Sequence, residues 1–179
     1  DCLNPVRPAA PCTLVFLVPP YGSGVAPEAL SALRDAGWIA DDAACVIELA
    51  ASGEIVGAAH AYIGEEAVAV GACLALRDDD YITGNHRSHG HPIAKGGDVN
   101  RAMAELLGKR TGYCKGKGGS MHLADFSIGI LGESGIVASS IPVAVGAAMG
   151  GRMLGTDRVS MCFFGDGASN QGSVHESMN

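Results

Sequence analysis

Three stretches of this 179-residue chain combine residue types that can bind a ligand or assist its chemistry. The first is Gly165-Asp166-Gly167, which follows an apolar run from Arg158 to Phe164. A buried strand running into such a turn sets one carboxylate at its C-terminal end, the edge where open α/β sheets bind ligands. The glycines let the backbone approach a ligand, and a helix starting near Ser169 would offer free N–H groups to an anion. A lone Asp beside a diphosphate suits Mg2+, which takes few protein oxygens and bridges phosphates. Taken alone, however, Gly-Asp-Gly is also an ordinary turn.

The second stretch is the polar turn Asn85-His86-Arg87-Ser88-His89-Gly90-His91. Arg87 could fork onto a diphosphate and His86 could donate beside it. Spacing alone does not separate that role from a solvated loop. His86, His89 and His91 also allow a zinc reading, which lacks a nearby cysteine and a fourth ligand. The third stretch is Lys115-Gly116-Lys117-Gly118-Gly119-Ser120. It resembles a phosphate cradle in composition but lacks the G-x-x-x-x-G-K-[ST] spacing, and no G-x-G-x-x-G follows a strand. No Ser, His and Asp set sits at a nucleophile elbow. Cys114 beside Lys115 reads more simply as a structural thiol than as a reactive one.

The elements that must position these stretches read as an alternating α/β pattern. Pro27, Leu30 and Leu33 predict a short helix closed by Gly37, and a second helix is expected from Asp41 to Ala51, stopping at Gly53. Glu65 to Leu76 predicts a buried helix, and Tyr81 to Thr83 a short strand. Asp98 can cap a helix from Val99 to Leu107, ended by Gly108. Residues 109–135 read as one long structured loop. Ser139 to Leu154 predicts a helix of small residues with Pro142 in its first turn. A strand over Arg158 to Phe164, a glycine turn and a helix then point to a parallel sheet flanked by helices.

Composition bounds the function. Hydrophobic residues make up 47% and charged residues 17%, as in a globular domain, and the 26 glycines leave room for close backbone approach. A formal net charge of -7 argues against nucleic acid as a partner. No apolar run is long enough for a membrane span, and the start of the chain makes a poor secretory signal. The six cysteines form no C-x-x-C pair, which fits reduced thiols in the cytoplasm. Residues 1–25 hold five of the eight prolines and carry no pattern tied to a function; residues 26–179 are expected to form the binding domain.

Five separated motifs then fall into a known order: His60-Ala61-Tyr62-Ile63-Gly64-Glu65-Glu66-Ala67, Tyr81 to Gly90, Lys115 to His122, Gly135-Ile136-Val137, and Phe164 to Gly172. In order and spacing they resemble the α subunit of the first, dehydrogenase component of two-oxo-acid and acetoin dehydrogenase complexes. The likeness runs over roughly residues 53–179. It implies an amino-terminal fragment carrying a truncated α/β thiamin-diphosphate-binding fold, a parallel sheet flanked by helices. It further implies thiamine diphosphate and Mg2+ as cofactors, with Asp166 as a metal ligand and Gly167 and Ala168 along the diphosphate. Arg87, with His86 beside it, would grip the same phosphates. Gly135 and Val137 would touch the aminopyrimidine through their backbone, and His60 would face the substrate end.

The implied partners are a β subunit in an α2β2 assembly, a lipoyl-bearing acyltransferase and a small-molecule substrate. His122 to Gly129, Ala138 to Pro142 and the apolar Leu131 look closer to acetoin-type than to pyruvate-type chains; branched-chain oxo acids come third. The chain also departs from the family pattern. Trp38 to Ala44 replaces an expected Arg-x-Phe-Glu helix, and the family's closing Asn pair, with its second magnesium ligand, lies beyond Asn179. A non-catalytic module that only occupies a β subunit is therefore the alternative. The 179-residue polypeptide by itself is expected to show no turnover of acetoin or pyruvate with thiamine diphosphate and Mg2+; measurable turnover would refute this.

Overall fold

The computed structural model describes residues 12–17, 32, 35–36, 39–47, 55, 57–60, 62 and 64–179. The chain divides into two compact units, residues 1–55 and 56–179. In the first, β1 (Cys12–Leu17) pairs in parallel with β2 (Ile39–Ile47), with an irregularity between Cys12 and Leu14. The helix expected over Asp41 to Ala51 is therefore corrected to a strand as far as Ile47. Alanine has no strand preference to oppose a helix, but Ile39, Val46 and Ile47 are β-branched, and pairing with β1 satisfies their backbone. The helix expected from Pro27 falls almost wholly outside the described residues.

The second unit is built on a three-stranded, all-parallel sheet in the order β4–β3–β5. These strands are Tyr81–Asn85 (β3), Ile130–Ser134 (β4) and Ser160–Cys162 (β5). Helix α1 (Glu66–Leu74) precedes β3, and α2 (Gly90–Ala94) and α3 (Val99–Leu106) lie between β3 and β4. Helix α4 (Ser140–Met153) joins β4 to β5, and α5 (Gly172–Met178) follows β5. Parallel strands require such crossovers, and both faces of the sheet are accordingly covered.

Strand alternation sorts the core into two clusters. On one face Ile82, Ile130 and Phe163 pack with Cys73 of α1, flanked by Ala94 of α2. On the other, Ala138, Ile141, Ala168 and Val174 pack together around Cys162. Thr83 points to that second face and donates its hydroxyl to the Ser140 carbonyl at 3.2 Å. Cys73, Cys114 and Cys162 are free thiols.

Several boundaries fall where the residues require them. Asp98 accepts hydrogen bonds from Asn100 N (2.7 Å) and Arg101 N, so α3 starts at Val99. Gly108, at φ +65°, ends it. Three expectations need correction. Helix α1 buries only Ala69 and Cys73, while Val68, Val70 and Leu74 are exposed, because one sheet face is all it has to cover. The loop expected over residues 109–135 contains β4; Ile130 and Leu131 lie between glycines, and only the neighbouring β3 makes them a strand. The run Arg158 to Phe164 contributes just three strand residues, half-buried, with Phe164 exposed.

The starts of β3 and β5 are clamped by one buried carboxylate. Asp80, 3% exposed, accepts from Arg77 N at 2.8 Å and from Val159 N at 2.7 Å. Arg77 adds an ion pair to Asp80 at 3.4 Å and a second to Asp157 at 2.8 Å. Replacing Asp80 with Ala leaves two backbone donors without an acceptor. Asp80→Ala should lower unfolding free energy by about 2–3 kcal/mol in urea titration; a loss below about 0.5 kcal/mol would show that the clamp contributes nothing.

Candidate functional site

The register of the sheet brings three of the candidate segments to one edge. Thr83 of β3 pairs with Cys162 of β5, and Asn85 of β3 pairs with Ser134 of β4. All three strands run the same way, so the turn after β3, the Gly135 segment after β4 and the Gly165 turn after β5 leave the sheet together. Arg87 and Asp166 each stand four positions beyond the paired residues Thr83 and Cys162. This is the carboxyl edge at which parallel sheets bind ligands.

The turn after β3 is held by its own polar atoms. Asn85 N donates to Ser88 Oγ at 2.8 Å, and Asn85 Oδ1 accepts from Arg87 N at 2.7 Å. Gly84 is required here, since any β-carbon would run into the Ser88 side chain. The backbone bonds leave the Arg87 guanidinium exposed and without an ion pair among the described residues. The three histidines of the turn separate. His86 is half-buried and meets the His60 ring edge-on at 4.7 Å, which brings two predicted site residues together. His91 is buried against Phe163 at 3.8 Å, and its Nδ1 lies 3.0 Å from Tyr62 Oη. Among the described residues no three His, Cys, Asp or Glu side chains converge to hold a metal ion.

After β4, Ser134 Oγ accepts from Ile136 N at 3.1 Å, and Ser139 bridges back to Ser134 at 2.7 Å. That leaves Gly135, Ile136 and Val137 exposed, with Ile136 73% accessible. Ala138 is buried at φ +69°, a left-handed conformation that costs a non-glycine residue about 1–2 kcal/mol. Strain of this kind concentrates at functional loops. After β5, Asp166 and Gly167 are exposed, and the Asp166 carboxylate has no hydrogen-bond partner among the described residues. Ala168 turns its side chain into the second core cluster and donates its N–H to the Gly165 carbonyl at 3.1 Å.

Residue types alone gave no sign of three further groups. The glycine loop is not an empty cradle: three of its N–H groups, and that of Cys114 just before it, point at Glu105, a fully buried carboxylate on α3. Its place three residues after buried Ala102, on the core side of the helix, was the available signal. Beyond that loop, Met121 and His122 stand against Gly135: a β-carbon there would lie 3.6 Å from His122 Cε1 and 3.8 Å from Met121 Sδ. A cavity of about 360 Å3 is lined by Gly57, Ala58, the end of α3, the glycine loop, Met121 and His122.

The third is Glu133, on β4 opposite Gly84 and 8% exposed. Its Oε2 accepts from Leu123 N at 3.4 Å and its Oε1 has no partner among the described residues, and burial drives the carboxyl well above the usual carboxylate range. Burial acts in the opposite sense on His89 and His91, pushing both down to about 4.

The signs oppose one another in acid. Near pH ~5 the unfolded chain protonates both histidines, which the folded state holds neutral, whereas folded Glu133 keeps a proton that the unfolded chain releases. Counting these three groups, stability should rise with pH by about one proton, or about 1.4 kcal/mol per unit, from pH ~5 to pH ~6. In Glu133→Gln the slope should approach about two protons. Urea midpoints across that range measure both, and equal slopes would contradict the protonated state of Glu133.

A family model described as the dehydrogenase E1 component matches residues 40–179. The α subunit of acetoin:2,6-dichlorophenolindophenol oxidoreductase from Bacillus subtilis (strain 168) is 56% identical over 134 residues, 75% of this chain and 40% of that protein. Its namesake from Cupriavidus necator is 50% identical over 127 residues, 71% of this chain and 38% of that protein. The pyruvate dehydrogenase E1 component α subunit of Rhizobium meliloti (strain 1021) is 46% identical over 132 residues, 74% of this chain and 38% of its own length. The chain thus spans about two fifths of the length of these relatives.

Proposed function

The chain belongs to the dehydrogenase E1 component family, and we propose that it supplies the α-subunit side of a thiamine-diphosphate site in an acetoin dehydrogenase. The observation that carries this reading is the convergence of three loops, each following a parallel strand, at one sheet edge. The residues there fit the cofactor. Arg87 is an exposed cation with no ion pair among the described residues, suited to a diphosphate, and Asp166 is an exposed carboxylate of the kind Mg2+ takes. Asp166 would hold Mg2+ through one carboxylate, the hard oxygen ligand that this cation takes.

In this reading Arg87 and His86 hold the phosphates, while Gly167 and Ala168 carry backbone along them. Gly135 and Val137 offer backbone N–H and carbonyl groups to the aminopyrimidine, and exposed Ile136 and Val137 exclude water beside it. His60, against His86, stands toward the substrate. Thiamine diphosphate supplies a nucleophilic carbon and an electron sink for cleaving a bond next to a carbonyl. The protein residues contribute binding, orientation and a low-dielectric edge. The cavity beside Met121 and His122 has a volume suited to a small molecule. A β subunit, in an α2β2 assembly, completes the site, and a lipoyl-bearing acyltransferase takes the two-carbon unit.

Acetoin is preferred over pyruvate because the acetoin relatives are 56% and 50% identical and the Rhizobium pyruvate relative 46%. Leu131 and the segment His122 to Gly129 point the same way. In the complete subunit assembled with β, Asp166→Asn and Arg87→Ala should each weaken Mg2+-dependent thiamine diphosphate binding by about tenfold or more. Calorimetry reads this directly, and wild-type affinity in both variants would remove the proposed roles. The ratio of kcat/KM for acetoin to that for pyruvate should exceed one; the reverse would make pyruvate the substrate.

A further inference from the structure

We propose that Glu105 is a positioning residue for the candidate site: its carboxylate folds the glycine loop into the shape that sets Met121 and His122 against Gly135. The functional consequence rests on reading that edge as the cofactor site; the hold on the loop does not. Oε2 accepts from Cys114 N at 2.7 Å and Gly116 N at 2.8 Å. Oε1 accepts from Gly118 N at 2.7 Å and Gly119 N at 3.3 Å. An ionised carboxylate only accepts, and its two oxygens offer about four lone-pair sites, so these four donors saturate it.

The backbone of the loop is shaped around that anion. Lys115 has φ +59° and Gly116 φ +75°, a left-handed pair that turns neighbouring N–H groups toward one point. Lys115 bears the strain of a left-handed residue, about 1–2 kcal/mol, and the donors on either side of it converge on one oxygen. Gly112 has to be glycine, because a β-carbon would lie 2.5 Å from Glu105 Cα and 2.6 Å from its N. The inward-facing amides are occupied by this internal carboxylate, so they do not receive a phosphate.

The far end of the loop transmits the shape to the site. Cys114 Sγ donates to the His122 carbonyl at 2.8 Å. His122 Nδ1 lies 3.3 Å from the Glu133 carbonyl, and Leu123 N donates to Glu133 Oε2. Gly135 follows Glu133 by two residues, so Glu105 reaches the exposed edge of β4 through three hydrogen-bonded links. A Gln at position 105 replaces one acceptor with an N–H2 group facing N–H donors, and one branch of the loop must open.

The test compares wild type, Glu105→Gln and Glu105→Asp in the complete subunit assembled with β. Iodoacetamide labelling followed by peptide mapping reads Cys114, with buried Cys73 as the internal control for global unfolding. In Glu105→Gln, Cys114 should label about tenfold faster or more while Cys73 stays protected. Turnover should fall about tenfold while KM changes less than about threefold. Glu105→Asp, which keeps the charge on a shorter arm, should fall between the two. Wild-type labelling of Cys114 in Glu105→Gln overturns the proposal, and so does wild-type turnover with Cys114 exposed. If Cys73 also labels, Glu105→Asp decides by the same two readings. A wild-type assembly that binds no thiamine diphosphate would remove the cofactor reading, while the Cys114 rates still test the hold of Glu105 on the loop.

Discussion

The parallel pairing of β3 with β4 on one side and β5 on the other is the constraint on which the site depends. A parallel ladder aligns strand directions as well as strand positions, so whatever follows each strand emerges at a common edge. Here those followers are a turn bearing an exposed cation, an open glycine segment and a turn bearing an exposed carboxylate. Slipping one strand by a single residue would send Thr83 and Ile82 to the wrong faces and displace Arg87 from Asp166. Asp80, which ties the entry of β3 to that of β5, guards against that slip at the opposite end of the sheet.

Buried carboxylates recur as the means by which loops are held. Asp80 and Glu105 each sit below 4% exposure, and both accept chiefly from backbone N–H groups, Asp80 from Arg77 and the distant Val159, Glu105 from the glycine-rich segment that follows its helix. Such bonds are directional and charge-assisted, which suits segments too rich in glycine to be fixed by side-chain packing. Glu133 differs. With one oxygen unpartnered among the described residues, its burial disfavours ionisation, and it links β4 to the segment carrying His122. Two buried carboxylates thus grip the two ends of the same loop.

Much of the local structure was legible in the sequence. Asp98 and Gly108 bounded their helix to within a residue, and Pro142 marked the first turn of α4. Two of the errors share one cause, which is that strand formation is a property of a pair. Ile39–Ile47 reads as helical until β1 lies beside it, and Ile130–Ser134 reads as loop until β3 does. Helix α1 was expected to be buried because its residues are apolar, yet apolar residues settle only what can be buried, and the sheet covers one side.

By itself, the sequence determined the α/β class, the order of the motifs and the residue types at each turn, because capping, glycine conformations and short apolar runs act over a few neighbouring positions. Only the tertiary structure decided that Arg87, Gly135 and Asp166 share an edge, that His91 belongs to the core while His86 faces His60, and that the glycine loop encloses Glu105. Those facts depend on strand register and on hydrogen bonds between segments far apart along the chain, and no local pattern of residues encodes the partner at the other end.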